Sequence, residues 1–176
     1  MTNVEAVQAE SEGTNVRKFL AQRGAIVVKE TRTMGKASCA YGETILVSTM
    51  IIVVGVGEAR NVTYGAKLER SDTKGNPSSS VLLDFDELKE VLEAFDFIAS
   101  VAADMRQQQR DYTEVTYSTK DNARFGFYQN TGTQQAFIAL TFHDGSAFLP
   151  VNDLANIKNL LGQSRTHLAS KGAVSV

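Results

Sequence analysis

Two stretches of the sequence copy one another at a fixed distance. Ser80-Val-Leu-Leu83, followed by Asp86-Glu-Leu88 and Val91, matches Ser146-Ala-Phe-Leu149, Asn152-Asp-Leu154 and Ile157, each residue 66 positions after its counterpart. A true repeat constrains the fold strongly, because each copy must bury the same apolar face with the same local geometry; the plainer reading is that any sheet-then-helix junction shows a polar cap and then apolar residues at helical spacing. Each copy reads as the end of a strand, a polar cap, and apolar residues at helical spacing. Upstream of each copy lie three stronger strand segments. The chain therefore reads as an α+β fold of two tandem β-β-β-β-α units, with antiparallel sheets packed with two long helices. The first half has longer hairpins, so its early strands do not hold the offset.

Along the chain, Thr14 or Asn15 is positioned to cap a short helical turn whose Val16, Phe19 and Leu20 share one face, with Gly24 ending it. Strands are expected over 25–34, 39–54, 60–70 and 79–83, broken at Gly35-Lys36, Gly55-Val-Gly57 and the loop from Ser71 to Ser78; Tyr41-Gly42 reads as a bend inside the second. Leu88, Val91, Leu92, Phe95, Ile98, Ala99, Ala102 and Met105 then recur at spacings of three and four, which predicts a long amphipathic helix. Asp84-Phe-Asp-Glu87 supplies its capping carboxylate, and Arg106 and Arg110 close its C-terminal end, the charge order the helix dipole favours. The β pattern returns over 112–119, 124–129, 135–142 and 146–149. A second helix begins near Asn152 or Asp153, with Leu154, Ile157, Leu161 and Leu168 on one face and Lys171-Gly172 as its stop. This divides the chain into a flexible acidic tail (1–14), a first unit with its short leading helix (15–110) and a second unit (111–176), both units forming one compact domain.

Eighteen Lys and Arg against twenty Asp and Glu leave a net charge of −2, which excludes a generally basic nucleic-acid binder but not a local basic face. The acids gather in the tail and the first long helix. From Lys18 to Arg70 basic residues outnumber acidic ones. A single cysteine, Cys39, excludes a disulfide framework and a thiolate zinc cluster. The longest apolar run, Thr49 to Gly57, is too short and too rich in β-branched residues to span a membrane as a helix. The N-terminus lacks the basic and apolar regions of a signal peptide, so the expectation is a cytoplasmic protein. Asn61-Val62-Thr63 fits a glycosylation sequon, a short pattern that nothing else in the sequence supports.

Two tandem units of four strands and a helix resemble the Whirly and PUR-type single-stranded nucleic-acid-binding proteins. The resemblance covers about residues 25–170 and is architectural. Phe148-Leu-Pro-Val-Asn-Asp-Leu154 is similar to the end of a Whirly domain. Gly35-Lys36-Ala37 is similar to part of the family's Lys-Gly-Lys-Ala motif, with Met34 where the first Lys belongs. The resemblance implies two sheets packed against each other, helices at an edge or end, associating subunits, and single-stranded DNA or RNA as partner.

Single-strand binding needs aromatic faces for bases and cations for phosphates. The second half offers Tyr112, Tyr117, Phe125, Phe127 and Tyr128, interleaved with Lys120 and Arg124; alternation puts Arg124, Gly126 and Tyr128 on one side of a strand and Phe125 and Phe127 on the other. The first half offers Lys29, Arg32, Lys36, Lys67 and Arg70. The candidate interface is thus Lys29, Arg32, Lys36, Lys67, Arg70, Tyr117, Lys120, Arg124 and Tyr128. Against it stands the plainer reading that strand aromatics pack and the charges between them face water. No catalytic residues, metal ligands or cofactors are expected. Gly55-Val-Gly57 lacks the third glycine of a dinucleotide fingerprint and reads as a hairpin turn. His143-Asp144 has no nucleophile tied to it, and Cys39 reads as packing. The two functional expectations are a single-stranded nucleic-acid binder and a self-associating interaction or scaffold module. A homo-oligomer is expected in either case, because tandem sheets leave edges and partly apolar faces to cover.

Overall fold

A computed structural model describes residues 13–175. The acidic tail expected at the N-terminus falls outside these residues except for Gly13 and Thr14. The first sheet has strands β1 (Val27–Ser38), β2 (Thr44–Val54), β3 (Asn61–Ser71) and β4 (Pro77–Asp84), antiparallel and in sequence order; the second has β5 (Tyr112–Ser118), β6 (Arg124–Asn130), β7 (Thr133–Ala139) and β8 (Ala147–Leu149), likewise. Helix α1 (Asn15–Leu20) precedes the first sheet, α2 (Glu87–Met105) follows it, and α3 (Leu154–Ser170) follows the second. The fold is α+β with two tandem β4α units.

The repeat appears in the strand register. Ala66 pairs with Leu83, and Lys67 with Leu82, as Ala136 pairs with Leu149, and Phe137 with Phe148. The third strands sit 70 positions apart rather than 66, because the β3–β4 hairpin has the longer paired arms: Ala66 and Leu83 are 17 positions apart, Ala136 and Leu149 only 13.

Each long helix leaves its own sheet and packs on the inner face of the other. Helix α2 lies against β5 and β6 as well as β4. Its Phe95 stacks on Phe125 with centroids 4.1 Å apart, and the amides of Gln129 and Gln134 donate to the Met105 and Ala102 carbonyls near its C-terminal end. Helix α3 lies on β1, β2 and β3, where Tyr64 Oη donates to the Lys171 carbonyl just past its end. Both inner faces and both helices thus enclose one core, with Ile45, Val47, Leu68, Phe95, Phe127, Ile138, Leu149 and Leu161 all buried. This exchange interlocks the units.

Several local expectations change. Gly35-Lys36 does not break the first strand: β1 runs through it with a register shift between Thr33 and Gly35. A Cβ at Gly35 would lie 2.7 Å from Leu160 Cδ2, so the glycine lets α3 approach. Tyr41-Gly42 is no bend inside β2; it lies in the short turn that joins β1 to β2, with Tyr41 at φ 60°. In α2 the stripe Leu88, Val91, Phe95, Ile98, Ala102 and Met105 is buried, but Leu92 is half-buried and Ala99 exposed. The helix ends at Met105, leaving Arg106 as its cap and Arg110 beyond it.

The expected capping carboxylates do other work. Asp86 makes no side-chain cap bond. Asp84 accepts from the Asn15 and Val16 amides at 2.8 and 2.9 Å, capping α1 across 69 residues of sequence, while Thr14 Oγ1 accepts from Arg17 N. Glu87 Oε1 accepts from the Lys120 amide at 2.6 Å, tying the β5–β6 turn to the start of α2. Helix α1 sits on the outer face of the first sheet, where Val16 is buried with Met50, Ile52, Val54 and Leu82 in a second, smaller core. That contact needs Gly65: a Cβ there would meet Val16 Cγ2 at 2.4 Å.

Candidate nucleic-acid interface

Strand pairing assigns each candidate side chain to a face. Lys29, Lys36 and Lys67 pair with Ile52, Leu46 and Ser48, and all three lie on the outer face of the first sheet. Arg32 and Arg70, opposite Thr49 and Ile45, lie on the inner face. Arg124 and Tyr128 lie on the outer face of the second sheet, and Tyr117, opposite Phe125, on its inner face. Lys120 is in the β5–β6 turn, with its side chain exposed. The nine candidates therefore do not form one surface.

Three of them have structural partners instead. Arg70 is ion-paired to Glu43 and also donates to the Gly145 carbonyl, joining β3 to the β1–β2 turn and the β7–β8 loop. Arg32 Nη1 lies 3.4 Å from His167 Nδ1 on α3. Tyr117 is half-buried, its ring 5.2 Å from that of Phe125, and burial raises the pKa of its hydroxyl. A ring packed in this way against the core has one face already taken.

The structure does bring Lys29 and Lys67 together. They line a cavity of about 320 Å³ between α1 and the outer face of the first sheet, with Arg17 from α1 as a third cation. Thr31 and Ser80 add hydroxyls, and Met50 and Leu82 belong to its apolar lining. Two carboxylates temper the charge. Asp121 receives Arg17 Nε at 2.8 Å and also the Leu82 amide at 2.9 Å, fixing the guanidinium at the cavity's edge and joining the two sheets. Glu69 pairs with Lys67. Lys29 has no ion-pair partner among the described residues. Three cations against two carboxylates leave one net positive charge beside apolar and hydroxyl groups, a setting that suits a phosphate with an attached apolar or aromatic group.

The outer face of the second sheet carries aromatics. Tyr112 and Tyr128 stack with centroids 6.2 Å apart and ring planes 23° apart, and Tyr112 is 59% exposed. The Arg124 guanidinium lies 5.2 Å from the centroid of Phe142, which is 68% exposed. Tyr112 Oη and Thr116 Oγ1 both donate to Glu114, at 2.6 and 2.8 Å, and these bonds hold the Glu114 carboxyl below its ordinary pKa. The ordered carboxylate fixes Tyr112 as a standing platform. Arg17, Tyr112 and Phe142 were absent from the sequence-derived site. Alternation separates Tyr112 from Tyr117 on β5, and the register with β6 puts Tyr112 on the side of Tyr128. Nothing local marks Arg17, whose carboxylate partner Asp121 comes from the β5–β6 turn.

Burial and Glu43 push the Cys39 thiol up to about 11, which leaves it protonated and unreactive at neutral pH. His143 is exposed in the turn after β7, and Gly55 and Gly57 sit in the β2–β3 turn at φ 93° and 63°. Among the described residues no three His, Cys, Asp or Glu side chains are grouped to hold a metal ion, and no helix is long and apolar enough to cross a membrane. No protein-family model matches the chain, and comparison with curated proteins gives no match.

Proposed function

We propose that the protein is a non-enzymatic binder of single-stranded nucleic acid. Phosphates enter the Arg17–Lys29–Lys67 cavity, and bases stack on Tyr112, Tyr128 and Phe142. The observation that carries this reading is the cavity, in which two lysines from different strands and an arginine from a packed helix converge beside two hydroxyls. The tandem β4α order, which resembles that of the Whirly and PUR-type proteins, supports it. So does the separation of charge along the chain, which leaves a basic outer sheet face on an acidic protein.

Fluorescence anisotropy with single-stranded oligonucleotides, at low and at moderate salt, tests the reading. Binding is expected at low salt and should weaken as salt rises, because phosphate contacts release counterions. Tyr128→Ala should lose about 1–3 kcal/mol of binding as one stacking platform is removed. Arg124→Ala should lose less. Absence of binding at low salt would leave the second reading, an interaction module whose sheets pair with other chains; the long free edge of β1 favours it.

A further inference from the structure

Among the described residues, the first sheet ends on a strand with no neighbour on its outer side. β1 pairs with β2 on one side only, and its twelve residues make it the longer of the two strands left open, β5 having seven. The opposite edge of the same sheet is met by the β5–β6 turn through the Leu82 amide and Asp121. β8 lies against the β1–β2 turn. On β1 every residue from Val28 to Thr33 is exposed, with Val28 56% and the preceding Ile26 62% exposed. An open row of amides and carbonyls of this length is a template for another strand.

We propose that β1 pairs antiparallel with β1 of a second copy of this chain, about a two-fold axis at Thr31. The argument is charge complementarity. In an antiparallel pair related by a two-fold axis normal to the sheet, each residue lies opposite one from the same face. Glu30 and Arg32 share the inner face, and neither has a carboxylate–cation partner among the described residues. Centring the pair on Thr31 sets Glu30 opposite Arg32 of the second copy, and Arg32 opposite its Glu30, forming two ion pairs. Lys29 then faces Thr33, and Thr31 faces itself. The neighbouring centres put like charges face to face: Lys29 on Lys29, Glu30 on Glu30, or Arg32 on Arg32. Cross-strand opposite charges stabilise a pair and like charges oppose it, so one register is selected.

A bulge and scattered lysines also serve to keep an edge unpaired. Here the bulge lies beyond Thr33 and leaves Lys29 to Thr33 regular. An edge protected by lysine alone gains no ion pair in any register, whereas this one gains two in one. Pairing would make an eight-stranded sheet with both Arg17–Lys29–Lys67 cavities on one outer face. It does not depend on what those cavities bind.

Sedimentation equilibrium on the full chain tests the pairing, with circular dichroism on each variant to confirm folding. The wild type should sediment at twice 19.1 kDa at micromolar concentration. Glu30→Arg alone and Arg32→Glu alone should each weaken the dimer by roughly tenfold or more. An equimolar mixture of the two single variants should restore dimers, since each supplies the charge the other needs. So should the doubly swapped Glu30→Arg/Arg32→Glu chain. A monomeric wild type would overturn the proposal. Single variants that dimerise like the wild type, or a mixture that stays monomeric, would overturn it equally.

Discussion

Where the outer face of the first sheet carries Lys29, Met50, Gly65 and Lys67, the second carries Tyr112, Tyr128, Gln135 and Phe137 at the matching register positions. The backbones are equivalent and the chemistry is not. The smallest difference has the largest consequence. Gly65 has no side chain, so Val16 reaches the sheet and α1 docks there. Gln135 fills the equivalent place and donates its amide to the Leu149 carbonyl at 2.8 Å, holding its side chain over the sheet. One face becomes a walled cavity with cations at its rim. The other stays open, with rings standing on it. On the proposed function, the two faces would divide between them the phosphate and base contacts that single-strand binding requires.

The strongest way to break the comparison is to break the interlock that holds the two faces in place. Phe95→Ala removes the ring that stacks on Phe125 and should cost about 3–5 kcal/mol in a urea titration. The first half should lose stability together with the second, in a single transition, because α2 connects them. Two separate transitions would show that the halves stand alone.

Gly65→Ala attacks the difference itself. The added methyl meets Val16 and the Leu83 carbonyl, so α1 must shift or leave, at about 1–3 kcal/mol. Protease sensitivity should rise in the segment around Arg17, and the second sheet should be unaffected. An unchanged α1 would mean that the glycine is not what admits it.

Much of this was legible in the residue pattern, and the exceptions have physical causes. The 66-residue offset located strands and helices because a strand–cap–helix junction is a local signal. The stripe from Leu88 to Met105 gave the buried face of α2, but periodicity does not say which sheet that face meets, so the exchange of helices was hidden. Asp84 reads locally as a cap for α2. It caps α1 instead, because the chain returns there only after four strands have paired. Arg70 and Tyr117 have the composition of binding residues, and only the register with Ile45 and Phe125 shows them turned inward. Gly35 resembles a break because a glycine that admits a helix and one that ends a strand look alike in sequence.

A smaller effect sharpens the junction between the halves. Glu87 is buried where it accepts the Lys120 amide, and burial raises its pKa above the ordinary carboxylate value. Its folded state therefore binds the proton more tightly than the unfolded chain does. Stability from this group is full at acid pH, below its unfolded pKa, and is lost as pH rises through the raised folded value. Glu87→Gln should flatten that part of the stability–pH profile measured by thermal melts. A profile of unchanged slope would contradict this account of the Glu87–Lys120 contact.

The division of labour between the faces is tested most directly by the salt dependence of oligonucleotide binding, compared variant by variant. A phosphate contact contributes about 0.7 to the slope of log affinity against log salt for a single strand, and a stacking contact contributes nothing to it. Lys29→Ala and Lys67→Ala should each flatten the slope by about that amount. Tyr128→Ala should lower affinity at every salt concentration and leave the slope as it was. If Tyr128→Ala changes the slope while the lysine variants do not, or if the wild type shows no binding at low salt, the assignment of phosphate to the first face and base to the second is wrong.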